Sequence, residues 1–147
     1  MADTGIDKDA VVKVLNKILE TELAGVVRYT HYALMIVGYG RIPIVSWLRS
    51  QATESLTHAN EAGELITYLG THPSLGIGPL LETHRHDVGD ILRESLDHER
   101  LALSAYNNLL ELVNGSNVLL EEYARRLIAQ EEMHLGDVRK MLKKPGE

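Results

Sequence analysis

THPSLGIGPLLETHRHD, residues 71–87, carries two glycines, two prolines and three histidines and reads as a connection. On either side of it, apolar residues recur at helical spacing in four long segments, and no stretch of comparable length alternates as a strand would. The chain therefore reads as all-α. The first helix is expected to begin after Asp7, a capping residue, and to run to about Val37, where Gly38, Gly40 and Pro43 mark a tight turn. The second should start near Pro43, which suits a first helical position, and stop at Gly70, a natural C-terminal cap. The third should run from about Asp87 to Val113, residues 114–117 (NGSN) form a turn, and the fourth ends at Lys143-Lys144-Pro145-Gly146.

The short turns pair the first helix with the second, and the third with the fourth, as antiparallel hairpins. Between the hairpins lie the 16 residues 71–86. Extended, they reach on the order of 50 Å, against roughly 40 Å for a 27-residue helix. The connection can thus traverse the bundle and return the chain to its other end. The expected fold is a four-helix bundle with one long crossover between the second and third helices, forming one domain over residues 1–147.

Composition narrows the function. A chain of 147 residues can bury about two thirds of its unfolded surface. With no cysteine, disulfides, zinc knuckles, cysteine-bound clusters and thiol nucleophiles are excluded, which fits a reducing compartment. The N-terminal MADTGIDKDA is polar and acidic, unlike an export leader, so a cytoplasmic location is expected. No apolar run approaches the roughly 20 residues of a membrane span. A net charge of -6 without a lysine-rich tail argues against nucleic acid and favours attraction of cations.

Advancing about 100° per residue along each helix places acidic residues at the centre of the apolar stripes. Glu22 is bracketed by Val11, Leu15, Ile18, Val26, Tyr29, Ala33 and Ile36. Glu99 is bracketed by Leu92, Ser95, Leu103, Tyr106, Leu110 and Val113, and Glu131 by Leu120, Ala124, Leu127, Leu135, Val138 and Leu142, with His134 one turn on. The second helix, with Ile44, Leu48, Ala62, Leu65 and Leu69, carries Ser55 and His58 in its stripe. Counted from the turns, Glu22 and His58 both lie some 23 Å away, and the polar residues of the second hairpin lie at one level too. The spacing repeats between halves: 36 positions from Glu22 to His58 and 35 from Glu99 to His134.

Three carboxylates meeting in an apolar core each cost several kcal/mol unless compensated. Metal cations would supply the compensation, and oxygen with imidazole ligands suits iron or manganese. Without metal, the acids must hold protons instead, with raised pKa values. Glutamate from two helices with Glu-x-x-His from the other two is a known di-iron carboxylate arrangement. Glu131-Glu132-Met133-His134 has that motif intact; in the second helix Ser55 stands where the glutamate belongs. Glu54 is a candidate substitute, although it points about 80° from the stripe centre. His31, His72, His84, His86 and His98 fall off the common level and read mostly as surface residues, with His84 and His86 a candidate metal pair at an entry point.

ETELAGVVRY with Glu22 and Tyr29, SLTHANE with His58, DHERLAL with Glu99 and EEMH at 131–134 together resemble the bacterioferritins over nearly the whole chain. The resemblance implies a ferritin-like four-helix bundle that binds two iron ions per chain. Glu22, His58, Glu99, Glu131 and His134 would be ligands and Tyr29 a redox or hydrogen-bond partner. Ferrous iron and an oxidant, dioxygen or peroxide, would be the substrates, with storage as mineral if a cage forms. A homo-oligomer is expected, with a dimer as its unit and a cage of 12 or 24 subunits as its larger forms. Two departures stand out: Ser55 replaces a bridging ligand, and Leu56 occupies the place of the haem-ligating methionine, so no haem is expected. The sequence ends soon after the fourth helix, without the short fifth helix of the large ferritin shells. Two alternatives remain, a rubrerythrin-like peroxidase and a structural or regulatory subunit with a degenerate centre.

Overall fold

The computed structural model describes residues 5–80 and 82–147. The first four residues of the N-terminal stretch read above, and position 81 in the connection, lie outside the described residues. Four helices follow in order: α1 Lys8–Met35, α2 Arg41–Tyr68, α3 Val88–Val113 and α4 Val118–Leu142. The described residues include no strand, and no helix is long and apolar enough to cross a membrane.

Three of the helix starts are written in single capping residues. The carboxylates of Asp7 and Asp87 accept from the backbone N–H groups of Ala10 and Asp90, and the Asn117 amide oxygen accepts from Leu120 N–H. Such a cap contributes about 1 kcal/mol by satisfying one of the orphan donors of the first turn. The first turn of the chain differs from expectation. α1 stops at Met35 and α2 begins at Arg41, two residues before Pro43. Arg41 explains the shift: its guanidinium donates to the Ala33 and Ile36 carbonyls at 3.1 and 2.6 Å, capping α1 while its own backbone starts α2. Pro43 then sits within the first turn, where a missing N–H costs no hydrogen bond. Gly70, at φ 84°, closes α2 as expected.

α1 and α2 pack as one hairpin, α3 and α4 as the other, and α1 lies against α3; α2 and α4 make no close backbone approach. The interior is layered along the bundle. At one end Val11, Leu15, Ile18, Ala62, Ile66, Tyr106, Leu109, Leu120 and Leu127 form the main apolar cluster. At the other, Tyr29, Tyr32, Ala33, Leu48 and Ile91, with Leu92, Leu96, Leu135 and Val138, form two smaller ones. Between them every helix contributes a buried polar residue: Glu22 from α1, Ser55 and His58 from α2, His98 and Glu99 from α3, and Glu131 from α4.

The connection after α2 climbs α1 as a strap. Ser74 N–H donates to Asn16 Oδ1 (2.8 Å), Gly78 N–H to the Glu20 carbonyl (2.8 Å), and Arg28 Nε to the Pro79 carbonyl (3.3 Å). Farther on, Glu82 reaches His31, and Thr83 N–H donates to Glu94 Oε2. From Asn16 to His31 this path covers about 22 Å of helix. α3 therefore starts at the opposite end of the bundle and runs parallel to α2, which is the one-crossover topology. The strap can lie this close because Gly78 has no side chain: a Cβ there would sit 3.0 Å from the Glu20 carbonyl oxygen and 3.2 Å from Thr21 Cα.

Candidate metal centre

In the middle layer the polar side chains are joined into one chain of contacts. Tyr106 donates its hydroxyl to Glu22 Oε2 at 2.6 Å, and the same oxygen lies 3.2 Å from His58 Nδ1. That ring nitrogen is in turn 3.9 Å from Glu131 Oε1, so one ligand atom each from Glu22, His58 and Glu131 falls within 4.8 Å of the other two. Glu131 is hydrogen-bonded to Glu99, Glu99 Oε1 accepts from the Tyr29 hydroxyl at 2.8 Å, and that hydroxyl lies 3.3 Å from His134 Nε2. Helical periodicity produces this convergence, since each residue occupies the inward position of its own helix at the same depth.

Without a cation, protons hold the cluster together. Burial, the hydrogen bond to Glu99 and its charge push the Glu131 pKa up to about 12. Burial opposes ionisation of Glu99 too, but the hydrogen bond from Glu131 and the nearby imidazoles and Tyr29 leave its pKa lowered. The pair is thus one carboxylic acid donating to one carboxylate. Glu22 is raised by burial, and Tyr29 and Tyr106, raised well above the phenol value by burial and by neighbouring carboxylates, stay protonated as donors. Glu131 Oε2 is buried without a hydrogen-bond partner, beside a cavity of about 10 Å³ lined by Gln51, Glu54, Ser55, His58, Glu99, Glu131 and His134. An orphaned carboxylate oxygen facing a small void among oxygen and imidazole donors fits a hard or borderline divalent cation.

All five expected ligands and Tyr29 belong to this layer. Glu54 is different: its side chain is 48% exposed, and its Oε1 lies 3.8 Å from His58 Nε2, the ring nitrogen turned away from Glu22 and Glu131. It lines the outer side of the cavity and stands outside the close trio. Above it a shallow cleft between α2 and α4, lined by Trp47, Gln51, Gln130, Met133 and His134 among others, opens toward solvent.

His98 belongs to the histidines expected to fall off the common level and to lie mostly at the surface, yet it is 2% exposed and lies against the centre, with its ring 6.4 Å from that of Tyr29. Burial lowers its pKa to about 4, and its Nε2 has no hydrogen-bond partner. It fits because Gly25 faces it: a Cβ on residue 25 would lie 3.0 Å from His98 Nε2 and 2.8 Å from Ser55 Oγ. The absence of a side chain at Gly25 thus makes room for both the imidazole and Ser55. Sequence reasoning also missed Gln130, whose Oε1 is 3.0 Å from His58 Nε2, and Trp47, stacked on the His134 ring at 5.9 Å and 11°. Tyr106 was visible as a stripe residue, but nothing in its spacing signalled the bond to Glu22.

The model of the ferritin-like domain matches residues 12–145 of the chain. No curated protein sequence matches it. Among solved structures, it is similar to a ferritin-like di-iron-carboxylate protein from Bacillus anthracis, with 22% identity and a TM-score of 0.86 over 93% of this chain and 98% of that one. A dodecameric thioferritin, the bacterioferritin-related protein of Bacteroides fragilis, aligns with 22% identity and a TM-score of 0.88 over 97% and 89%. The bacterioferritin of Desulfovibrio desulfuricans, described with a di-iron site in different catalytic states, aligns with 25% identity and a TM-score of 0.80 over 92% and 79%.

Proposed function

The chain belongs to the ferritin-like domain family, and from that premise we propose that its central layer binds ferrous iron and promotes its oxidation, in the service of iron storage or detoxification. The observation that carries this reading is the set of three buried glutamates on three helices, Glu22, Glu99 and Glu131, meeting His58 and the half-buried His134. Glu22, His58 and Glu131 would hold one ion, and Glu99 and His134, with Glu131 between the two positions, a second. The cations take over the role of the protons that Glu131 and Glu22 otherwise retain, so binding releases protons to solvent. Each ferrous ion gives up one electron to dioxygen or peroxide. Tyr29 keeps its hydroxyl proton and orients Glu99. The cleft above Glu54 gives iron a path, and the partly exposed Glu54 carboxylate would attract cations into it.

Self-association belongs to the same reading. Leu34, Val37, Tyr39 and Ile42 leave large apolar side chains exposed near the α1–α2 turn, as expected of a surface that another copy covers. We assign a homo-oligomer built from dimers, with a cage as the form in which mineral could accumulate.

Ser55 favours a second reading, a structural or regulatory subunit whose centre no longer oxidises iron. Anaerobic Fe(II) titration followed by an oxygen pulse separates the two. About two irons per chain with rapid oxidation supports the first reading, and absence of binding supports the second. Iron accumulating beyond two per chain distinguishes storage from peroxide reduction.

A further inference from the structure

Away from the bundle centre, the strap and α1 bring a second group of nitrogen and oxygen ligands together. Glu82 Oε2 lies 2.7 Å from His31 Nε2 and 3.7 Å from His86 Nε2. One ligand atom from each of the three falls within 4.8 Å of the others. We propose that His31, Glu82 and His86 form a separate site for a divalent first-row cation such as Zn(II), which staples the crossover to α1.

Several features beyond proximity point the same way. The two imidazole rings are edge to face, 5.9 Å apart at 73°, and both present Nε2 to the same carboxylate oxygen. His86 Nε2 is shielded from solvent yet has no hydrogen-bond partner, a state a metal bond would relieve. Glu82 is oriented independently of any cation: its Oε1 accepts from the His84 backbone N–H at 2.6 Å. That bond requires a tight reversal in which His84 adopts φ 59°, an uncommon backbone conformation for a residue with a side chain. The hydrogen bond fixes one carboxylate oxygen and aims the other at both histidines, as outer-shell partners do in metal sites. The side chains are 44%, 23% and 31% exposed in the order His31, Glu82, His86, so a cation from solvent can reach them and water can complete its shell. Two imidazoles and one carboxylate are a donor set that zinc accepts with an open position. The histidine expected to pair with His86 from sequence, His84, instead supplies the backbone turn, and the partner comes from α1.

The site ties residue 31 of a rigid helix to residues 82 and 86 of a connection. Its occupancy should therefore order the strap as well as bind metal. Zn(II) titration of the metal-free full-length protein, with Glu82→Gln, His86→Ala and Glu131→Gln alongside, tests this. The expected result is that Glu82→Gln and His86→Ala each lose one zinc equivalent, or bind it at least tenfold more weakly, while Glu131→Gln, altered only in the central layer, retains it. Amide exchange over residues 82–87 should slow on adding Zn(II) to the unaltered protein and stay unchanged in Glu82→Gln. Equal zinc stoichiometry and affinity in the unaltered protein, Glu82→Gln and His86→Ala would overturn the proposal, as would exchange in the strap that ignores zinc. Loss of iron binding at the centre with this behaviour intact would leave the second site standing by itself.

Discussion

Glu131 is held in a state that opposes stability without metal, and the consequence can be measured. A carboxyl whose pKa rises on folding contributes fully only below its unfolded value, near 4.3, and the contribution is lost as pH climbs toward the folded value. For Glu131 that folded value is about 12, and Glu22 shifts in the same direction. His98, its pKa lowered to about 4 by burial, opposes this loss below its unfolded value near 6.5, so metal-free protein should lose thermal stability most clearly from about pH 7 to pH 9. The lowered pKa of Glu99 acts in the opposite sense, but only at more acidic pH. Glu131→Gln keeps a donor toward Glu99 and removes the titration. It should raise the Tm of the metal-free protein at pH 8 by roughly 3–10 °C, at about 2–4 °C per kcal/mol, and flatten its pH profile; an unchanged profile would show that Glu131 is not the protonated member. The same variant should bind iron poorly. Glu99→Ala is expected to remove at least the second of the two ions from the central layer, read as the number of ferrous ions taken up anaerobically. These acids were legible in the sequence because a helix repeats every 3.6 residues, so an inward glutamate betrays itself among leucines. His98 was not, because its place depends on the space left by Gly25 on another helix.

At the level of elements, the helix ends were legible wherever one residue fixes them, as Asp7, Asp87 and Asn117 do. They were displaced at the α1–α2 turn because Arg41 caps the preceding helix by side-chain bonds to carbonyls eight and five residues back, a role that glycine and proline punctuation does not signal. The length of the crossover was equally plain in the sequence, but its route over α1 was not, since that route depends on Gly78 meeting the Glu20 backbone. Gly78→Ala should accordingly lift the strap, costing about 1–3 kcal/mol as overpacking against a backbone does, measurable as a lower denaturation midpoint with the helical signal retained. Gly25→Ala, placed against Ser55 and His98, should cost a similar amount and also disturb iron binding, because the displaced groups lie at the centre. A Gly25→Ala protein with unaltered stability and iron uptake would contradict the close packing described there.

For the whole molecule, two hairpins related by similar spacing enclose a charged layer between apolar ends, and the open seam between α2 and α4 connects that layer to solvent. The exposed apolar side chains near the α1–α2 turn predict self-association: light scattering should find the protein larger than a monomer, and Leu34→Asp combined with Ile42→Asp should reduce its size while preserving helical content. The claim on which the account turns is that the buried acids and His58 surround a cation. Crystals grown without metal and soaked anaerobically in ferrous iron, measured by anomalous diffraction at the iron edge, test it directly. The account predicts an iron peak within bonding distance of Glu22, His58 and Glu131, and iron absent from this layer, with the same carboxyl groups still hydrogen-bonded to one another, would contradict it.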